Sequence, residues 1–297
     1  AKTASIVSSV ASEEKREVGE KFKDYFEHSE SLARLPNHRL LAMLRGRQEN
    51  VLGLKIEGED APFIEKIISN FDIDAKAPAA RREFLTEAAS SLWKDKWRPH
   101  IEHRLLTEKR LAAEADAIDV FASNLQHLLM SAPAGPKVIL GVDPGIRHGV
   151  KMAIVDAQGH VMLDSEEKPV IATVYPFAPD NKMTEAKTVI DELLGTYNVD
   201  LVAIGNGTAS RETDAMIKEI LAANDALKAK AVIVNESGAS VYSASELASD
   251  ELANLDVSVR GAVSIARRLQ DPLSELVKVD PKAIGVGQYQ HDVNQNQ

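Results

Sequence analysis

Apolar residues recur at helical spacing through most of the first half of the chain. Over residues 38–47 the leucines stand three or four positions apart, and a proline precedes them where a helix should start. Similar steps run over residues 99–130, and residues 13–30 alternate charges around three aromatic side chains. Residues 51–56 read as a short extended segment. The sequence therefore predicts a mainly helical domain over residues 1–135.

The pattern changes after residues 131–136, where two prolines and a glycine form a stretch that no helix would cross. Continuous apolar runs at 138–142 and 150–155 lead by short turns into a third extended region, which predicts an antiparallel meander. Helices then alternate with strands, and this order implies parallel strands. We expect an α/β domain over residues 136–284, a ribonuclease H-like mixed sheet flanked by helices. The polar tail at 285–297 is expected to be loose.

Composition narrows the possible chemistry. The 297 residues are 44% hydrophobic, enough for two folded domains, and include no cysteine, which excludes disulfides, cysteine nucleophiles and thiolate metal sites. No apolar run approaches the roughly 18 residues that a membrane span needs, and the start of the chain has no signal-peptide core. We expect a cytoplasmic protein without a membrane partner. The missing initiator methionine suggests a processed or excised chain.

The charge is acidic in both parts of the chain. Residues 1–135 carry 20 basic and 22 acidic side chains, and residues 136–297 carry 15 and 23. This balance argues against nucleic-acid binding by bulk charge but leaves a local basic groove open. The alternatives for such basic residues are a solvated helix face and an ordinary surface stripe. The candidates for phosphate contacts in this reasoning are Arg39, Arg45, Arg47, Arg267 and Arg268.

Acidic side chains lie where predicted strands end. Asp143 directly follows the first strand of the second domain, Glu236 follows the fifth, and Asp271 lies on a late helical segment. Chemistry collects at the carboxyl ends of parallel strands, and converging carboxylates repel unless a divalent ion neutralises them. Hard oxygen ligands suit Mg²⁺ or Mn²⁺. These three acids are therefore candidate metal ligands and catalytic residues for phosphodiester cleavage. Alternatively they cap turns and helices, and Asp-Pro-Gly is itself a turn signature.

A glycine-rich turn at residues 205–211 follows the fourth strand. Its amides suit a phosphate, with Thr208 and Arg211 beside them, although the turn lacks dinucleotide and P-loop signatures. A tight strand-to-helix turn with Thr208 or Ser210 as N-cap explains the same residues. The Asp-x-Gly turn at Asp143 also occurs in phosphotransferases of the actin and sugar-kinase class. Those need a second phosphate loop and a second domain of the same fold, which this sequence does not offer.

Long strings of the chain resemble the Tex family of bacterial transcription accessory proteins. The resemblance implies a cytoplasmic bacterial protein that binds RNA or DNA and influences transcription, with the transcription machinery as partner. It also implies a YqgF/RuvC-like domain and adds Arg147 to the candidate nucleic-acid contacts. The family continues into helix-hairpin-helix and OB-fold RNA-binding modules that this sequence lacks. The matching strings are residues 22–30, 38–47, 140–151, 203–213, 235–246, 260–272 and 285–293.

One position departs from the pattern of RuvC-like nucleases. They carry an acid at the end of the fourth strand, where this sequence has Asn206. A neutral amide cannot offset the charge of a metal ion, so a two-metal site would lack a ligand, with Asp271 standing in for the last-helix acid. We expect the RuvC-like domain to act mainly as a scaffold that requires no cofactor for binding. The alternative is a Mg²⁺- or Mn²⁺-dependent nuclease acting on structured DNA or RNA.

Overall fold

The computed structural model describes residues 4–70, 78–287 and 289–296. Contacts divide the chain into two compact units, Ala1–Phe121 with Gly287–Gln297 and Ala122–Val286. The division falls inside the helix Arg98–Leu129 and not at the proline-rich turn that follows it. The physical reason is that the last turns of this helix supply three leucines to the hydrophobic core of the second unit. These are Leu125, Leu128 and Leu129.

A three-stranded antiparallel sheet forms the base of the first unit within the described residues. Its strands pair in the order β2-β1-β3. The sequence pattern predicts β3 but neither of the others, and β2 lies inside the 13–30 segment that was expected to be helical. That segment instead contains a short helix, a 3-10 helix and β2. The bounds are β1 Ser5–Val10, α1 Lys15–Val18, the 3-10 helix Glu20–Tyr25, β2 Glu27–Ser31 and β3 Leu52–Glu57.

Helices cover this sheet and complete the first unit. The predicted helices at 38–47 and 99–130 are confirmed. Their apolar sides pack against the sheet and share one hydrophobic core with it, in which Ile6 of β1 and Leu40 and Met43 of α2 are buried. No helix in the described ranges has both the length and the apolar surface needed to cross a lipid bilayer. The bounds are α2 Asn37–Gln48, α3 Ala61–Asn70, α4 Ala79–Leu92, a π-helical turn Trp93–Trp97 and α5 Arg98–Leu129.

The end of the chain belongs to the first unit. Tyr289 packs against its hydrophobic core, and the Asp292 carboxylate lies 3.6 Å from the guanidinium of Arg45. The described part of this tail is therefore held by packing and by an ion pair, in contrast to the loose tail expected from its polar composition. The Gln288 and Gln297 positions of that expectation lie outside the described residues.

The second unit is a mixed sheet of five strands in the described residues, in the order β6-β5-β4-β7-β8. Strands β4, β5 and β6 pair antiparallel, and β4, β7 and β8 pair parallel, which confirms the predicted ribonuclease H-like α/β fold. The bounds are β4 Ile139–Asp143, β5 Val150–Val155, β6 Ile171–Val174, α6 Met183–Thr196, β7 Leu201–Gly205, α7 Ser210–Ala223, β8 Lys230–Val234, α8 Ala239–Ser243, α9 Glu246–Glu251, α10 Val257–Gln270, α11 Pro272–Leu276 and the 3-10 helix Pro281–Ala283.

Helix α10 lies directly on the central strand β4. A side chain at Gly141 would collide with the carbonyl oxygen of Ala262, so the two backbones approach with no side chain between them. The helix runs antiparallel to the strand. Gly261 lies beside Asp143 at the carboxyl end of β4, and Gln270 Nε2 donates to the Lys137 carbonyl at its other end, at 2.7 Å. Residues early and late in α10 therefore face opposite edges of the sheet.

Candidate functional site

Two acidic side chains meet at the carboxyl edge of the parallel strands. Asp143 is the last residue of β4, and Glu236 lies two residues beyond the end of β8. Burial raises the pKa of the Asp143 carboxyl, against the opposing charge of Lys151, which pairs with it across the sheet. Burial also raises the pKa of the Glu236 carboxyl, and the charge of Asp143 raises it further. The effect of Asp143 on Glu236 indicates that the two carboxyl groups lie near one another at this edge.

Backbone surrounds the Glu236 carboxylate closely. The N–H of Gly207 donates to it, which opposes the rise in the pKa of Glu236. A side chain at Gly205 would collide with Oε2, and one at Gly207 would collide with Oε1. The Oε2 atom is buried and has no hydrogen-bond partner among the described residues. The two glycines are thus required by the close approach of a carboxylate, one oxygen of which is buried without a hydrogen-bond partner among the described residues.

Asn206 connects the two strand ends structurally. Its side-chain Oδ1 accepts a hydrogen bond of 3.1 Å from the backbone N–H of Glu236. Its oxygen therefore already serves the loop that carries Glu236, and its neutral amide adds no charge. This arrangement agrees with a site that lacks one charged ligand.

Arg268 holds the loop that carries Glu236 through hydrogen bonds to its backbone. Its Nη1 donates to the carbonyl oxygens of Asn235 and Ser237, both at 2.8 Å, and these residues flank Glu236. Burial lowers the pKa of Arg268, whose charge in turn opposes the rise in the pKa of Glu236. The residue is 3% exposed. This burial corrects the expectation that Arg268 contacts nucleic acid, because its guanidinium has no surface to offer.

Arg267 also makes internal bonds. Its Nε donates to the Gly159 carbonyl at 2.8 Å and its Nη1 to Glu251 Oε2 at 3.1 Å. Arg260, seven residues earlier, is buried and donates to the Leu255 carbonyl. The interpretation of these arginines as a surface stripe is therefore wrong. Arg267 is only partly buried and is held by these bonds, and its assignment as a phosphate contact stays a prediction.

Asp271 lies at the other end of the sheet from Asp143. It stands ten residues after Gly261, about 15 Å along a helix that runs antiparallel to β4. Its carboxylate caps α11, accepting from the backbone N–H of Ser274 at 3.1 Å and from Ser274 Oγ at 2.6 Å. These bonds lower the pKa of Asp271. The structure therefore does not bring Asp271 to the other two acids, which corrects its assignment as a third metal ligand.

The position of α10 that faces Asp143 carries no side chain. A Cβ built at Gly261 would lie 3.0 Å from Asp143 Oδ2. In the described ranges, no three histidine, aspartate or glutamate residues are grouped to hold a metal ion. The donor set of Asp143 and Glu236 fits one divalent cation, with the unpartnered Glu236 Oε2 as a ligand atom. It does not fit two cations, because two carboxylates cannot balance their charge.

Two candidate arginines and one candidate threonine are exposed at this edge. Arg147 lies in the turn after β4, and Thr208 and Arg211 lie at the turn after β7. In the part of the chain that the structure describes, neither arginine has an ion-pair partner. Helix α7 begins after Ala209, which has a left-handed φ of 66°, and no side chain caps it. The expected capping by Thr208 or Ser210 is therefore wrong, which leaves the exposed Thr208 hydroxyl without that role.

The candidate arginines of α2 are exposed but differ in their partners. Arg39 lies 3.0 Å from the Glu30 carboxylate, and Arg45 lies 3.1 Å from that of Glu49. Arg47 has no ion-pair partner within the described residues. The three arginines are thus unequal candidates, since two are already neutralised by neighbouring acids and Arg47 is not.

Sequence reasoning missed the supporting residues of the acidic site. The pattern Gly-Asn-Gly at 205–207 contains a signal for close backbone approach, but sequence reasoning interprets it as a phosphate-binding turn or a tight strand-to-helix turn. Gly261 and the support by Arg268 carry no comparable signal. Their roles depend on how α10 is rotated on the sheet, and spacing along the chain does not determine that rotation.

Comparison with known proteins agrees with both parts of the chain. Residues 137–270 match the Tex protein YqgF-like domain, and residues 1–121 match the Tex central region. The chain is 48% identical to Protein YhgF of Escherichia coli over all of its length. It is 48% identical to Protein tex of Bordetella pertussis over 94% of its length. It is 37% identical to human S1 RNA-binding domain-containing protein 1 over 98% of its length.

The chain spans only part of each relative. It covers 38% of the Escherichia coli protein, 36% of the Bordetella protein and 29% of the human protein. The two matched regions together account for most of the chain, and they coincide with the sheet-based first unit and the ribonuclease H-like second unit. This chain therefore belongs to the Tex family, of which it contains the central region and the YqgF-like domain.

Proposed function

We propose that this chain is part of a nucleic-acid-binding transcription accessory protein, in which the ribonuclease H-like domain acts mainly as a scaffold. The observation that carries the proposal is the incomplete acidic edge. Gly261 stands where α10 faces Asp143, and the Asn206 oxygen accepts a hydrogen bond from the backbone N–H of Glu236. The names of relatives that refer to transcription and to an RNA-binding domain support the same role.

Charge balance argues against two-metal cleavage at this edge. Two divalent ions bring four positive charges, and phosphodiester cleavage by such a pair relies on carboxylates to hold both ions about 4 Å apart. Asp143 and Glu236 supply two negative charges at most, and the raised pKa of each carboxyl marks the cost of charging both. The scaffold role therefore requires no metal ion, and Mg²⁺ or Mn²⁺ is an optional ligand.

Two exposed arginines and an exposed hydroxyl group at the edge support contact with a nucleic-acid backbone. Arg147, Thr208 and Arg211 lie at the turns beside the two acids, and Arg47 offers a further free guanidinium on the first unit. Arginine and hydroxyl side chains suit phosphate oxygens, and such contacts do not select a sequence. With a net charge of −10 on the whole chain, binding should be weak, and the few arginines involved imply a modest salt dependence.

A second candidate is a Mg²⁺- or Mn²⁺-dependent nuclease acting on structured DNA or RNA. The observation that favours it is the buried Glu236 Oε2 without a partner, in the same electrostatic site as Asp143. A cation held there would lower the pKa of both carboxyls and attract a phosphate. Asp143→Ala would then abolish cleavage and leave the fold intact.

One experiment separates the two functions. The purified chain is incubated with Mn²⁺ and labelled single-stranded, duplex and four-way-junction substrates, and both binding and cleavage are measured. We expect binding without cleavage. The Arg147→Ala/Arg211→Ala variant should bind about tenfold more weakly, and the slope of log K against log salt concentration should be smaller in magnitude by about 2. Lys228→Ala/Lys230→Ala is the matched control, because it removes the same charge from the exposed opposite end of β8.

Three results would contradict the proposal. Divalent-dependent cleavage that Asp143→Ala abolishes would establish the nuclease. Equal loss of binding in both double variants would show that the strand-end edge is not the contact surface and that binding depends only on the overall positive charge. No binding to any substrate would contradict nucleic-acid recognition by this part of the family protein.

A further inference from the structure

A pair of aromatic side chains lies just beyond strand β3 in the first unit. The rings of Phe63 and Trp93 stack with their centroids 4.3 Å apart and their planes 5° from parallel. Trp93 is 5% exposed, whereas Phe63, one face of which Trp93 covers, is still 43% exposed. Trp93 is held in turn by a hydrogen bond of 2.8 Å from its Nε1 to Asp60 Oδ1. A buried and hydrogen-bonded neighbour therefore orients the exposed Phe63 ring.

A cavity of about 160 Å³ is lined by both rings, and we call it the Phe63 pocket. Ile56, Ile101 and Leu105 supply further apolar lining from β3 and α5. Pockets that enclose drug-sized molecules measure about 300–1,000 Å³, so a cavity of this size suits a single large side chain. The size therefore favours a side chain presented by a partner protein over a free small molecule.

The charged groups that line the Phe63 pocket are mainly acidic. Four carboxylates stand against one guanidinium, that of Arg98, which leaves three net negative charges. Arg98 is already engaged, because it donates to Asp60 at 2.9 Å and to Glu102 at 2.8 Å. The other two carboxylates are exposed and have no ion-pair partner among the described residues. These free carboxylates are Glu57 and Glu59.

We propose that the Phe63 pocket binds an arginine side chain of a partner protein, carried on a basic and apolar segment. A guanidinium is planar, so it stacks on an aromatic face and donates to two carboxylate oxygens at once. The aliphatic stem of an arginine packs on apolar surface, which Ile101 and Leu105 provide. Glu57 and Glu59 supply the carboxylates, since their charges are not neutralised within the described part of the chain.

A cationic side chain fits the Phe63 pocket better than a nucleic acid does. A base could stack on the exposed ring, but sites for single-stranded nucleic acid combine such rings with a positively charged path for the phosphates. Here the lining carries net negative charge. Lys94 and Lys96 of the neighbouring π-helical turn are exposed but do not line the pocket. This inference is separate from the nucleic-acid role of the strand-end edge in the second unit.

The test uses the whole chain and a fluorescein-labelled peptide of alternating arginine and leucine, with binding measured by fluorescence anisotropy. We expect Glu57→Gln/Glu59→Gln to weaken binding about fivefold, because it removes two carboxylates and keeps the size of both side chains. Glu17→Gln/Glu20→Gln is the matched control. Both of its residues are exposed, have no ion-pair partner in the described ranges and lie outside the pocket, so binding should be unchanged.

A second pair of variants tests the aromatic ring. Phe63→Leu keeps an apolar side chain but removes the ring face, and we expect about threefold weaker binding. Phe84→Leu is its control, since Phe84 is 69% exposed and does not line the pocket. Unchanged melting temperatures verify that the variants fold, and the carboxylate variant tests the proposal even where Phe63→Leu lowers stability.

A second probe tests the guanidinium directly. The same peptide with citrulline in place of arginine keeps the shape of the side chain but loses its charge, and we expect at least about tenfold weaker binding. Equal binding of the citrulline peptide, or of a lysine–leucine peptide, would overturn the proposal. So would an equal loss of binding in the Glu17→Gln/Glu20→Gln control, or no binding of the arginine–leucine peptide. A labelled oligonucleotide that binds and loses affinity in Phe63→Leu, without peptide binding, would reassign the pocket to nucleic acid.

Discussion

The backbone N–H of Glu236 donates a hydrogen bond of 3.1 Å to Oδ1 of Asn206, so the ends of β7 and β8 are joined at the candidate site. The bond holds the Glu236 loop and engages Oδ1 of Asn206, and the neutral amide adds no charge to the site. An acid at this position would add a negative charge, whereas Asn206 only holds the Glu236 loop in place. The acidic edge is therefore ordered without being complete, and this combination supports a scaffold that still accepts a ligand.

Gly207→Ala is expected to lower the free energy of unfolding by about 1–3 kcal/mol, because the added Cβ collides with the Glu236 carboxylate. In a Glu236→Ala background the collision partner is gone, so the same substitution should cost well under 1 kcal/mol. Urea denaturation of the four proteins of this cycle gives the coupling energy. Gly53→Ala is the control, since its nearest neighbour is Ser9 Oγ at 3.5 Å. Equal costs in both backgrounds would contradict the cradle around Glu236.

Stability should fall as pH rises through the titration of Glu236. Its folded-state pKa is raised above the ordinary value of 4.5, so in that window the folded state binds more protons than the unfolded state. Glu236→Gln should therefore be more stable than the unmodified chain at pH 7, and the gain should vanish below about pH 4. Urea denaturation at both pH values provides the measurement.

Asp164→Asn provides a control of opposite sign. Hydrogen bonds from the backbone N–H groups of Lys168 and Glu166 lower the pKa of Asp164, so its charged form stabilises the fold above the ordinary value of 3.8. The loss caused by Asp164→Asn should be present at pH 7 and disappear as pH falls through the lowered pKa. If Glu236→Gln and Asp164→Asn changed the free energy of unfolding at pH 7 in the same direction, burial would not be the dominant effect at Glu236.

Arg268→Ala is expected to destabilise the second unit by about 3 kcal/mol or more, because it leaves the Asn235 and Ser237 carbonyls without their donor and opens a space in the core. The substitution should also raise the pKa of Glu236 further, since it removes a nearby positive charge. Thermal denaturation and the NMR titration of Glu236 measure the two effects. Arg211→Ala, on the exposed surface, should change stability by less than about 0.5 kcal/mol.

Asp271→Ala should cost about 1 kcal/mol of stability through the loss of the α11 cap and leave Mn²⁺ binding unchanged. Asp143→Ala and Glu236→Ala should each abolish whatever Mn²⁺ binding the chain has. Calorimetric titration with Mn²⁺, run beside urea denaturation, separates capping from coordination. A drop in Mn²⁺ affinity in Asp271→Ala would place that carboxylate in the ion's environment and contradict the position of α10 on β4.

Much of the second unit follows from its sequence. Uninterrupted apolar runs predict β4, β5, β7 and β8, because a strand buried on both faces needs apolar residues at every position. Turn signals then give the strand ends, and these identify Asp143 and Glu236. The first unit is harder. Strand β2 has the sequence Glu-His-Ser-Glu-Ser, without one apolar residue, so its pairing with β1 and not its own pattern makes it a strand.

The errors at the site have one physical cause. Asp271, Arg267 and Arg268 follow one another closely on the chain, and nothing in their spacing reveals which way α10 crosses the sheet. That direction is seen only in long-range contacts, with Gly261 beside Asp143 at one end of β4 and Gln270 bonded to the Lys137 carbonyl at the other. Arg260 and Arg268 are buried because α10 packs on β4 and also contacts α8 and α11. An amphipathic surface helix is the wrong expectation for such an element.

The course of α5 determines where the two units can be cut apart. The stretch of prolines and glycine at residues 131–136 would be the obvious place to divide the chain for separate expression of the second unit. A fragment beginning there would lack Leu125, Leu128 and Leu129 and would expose the apolar surface that these side chains cover. A fragment that begins near Ala122 retains them, so a soluble and separately crystallisable second unit should include the last two turns of the helix.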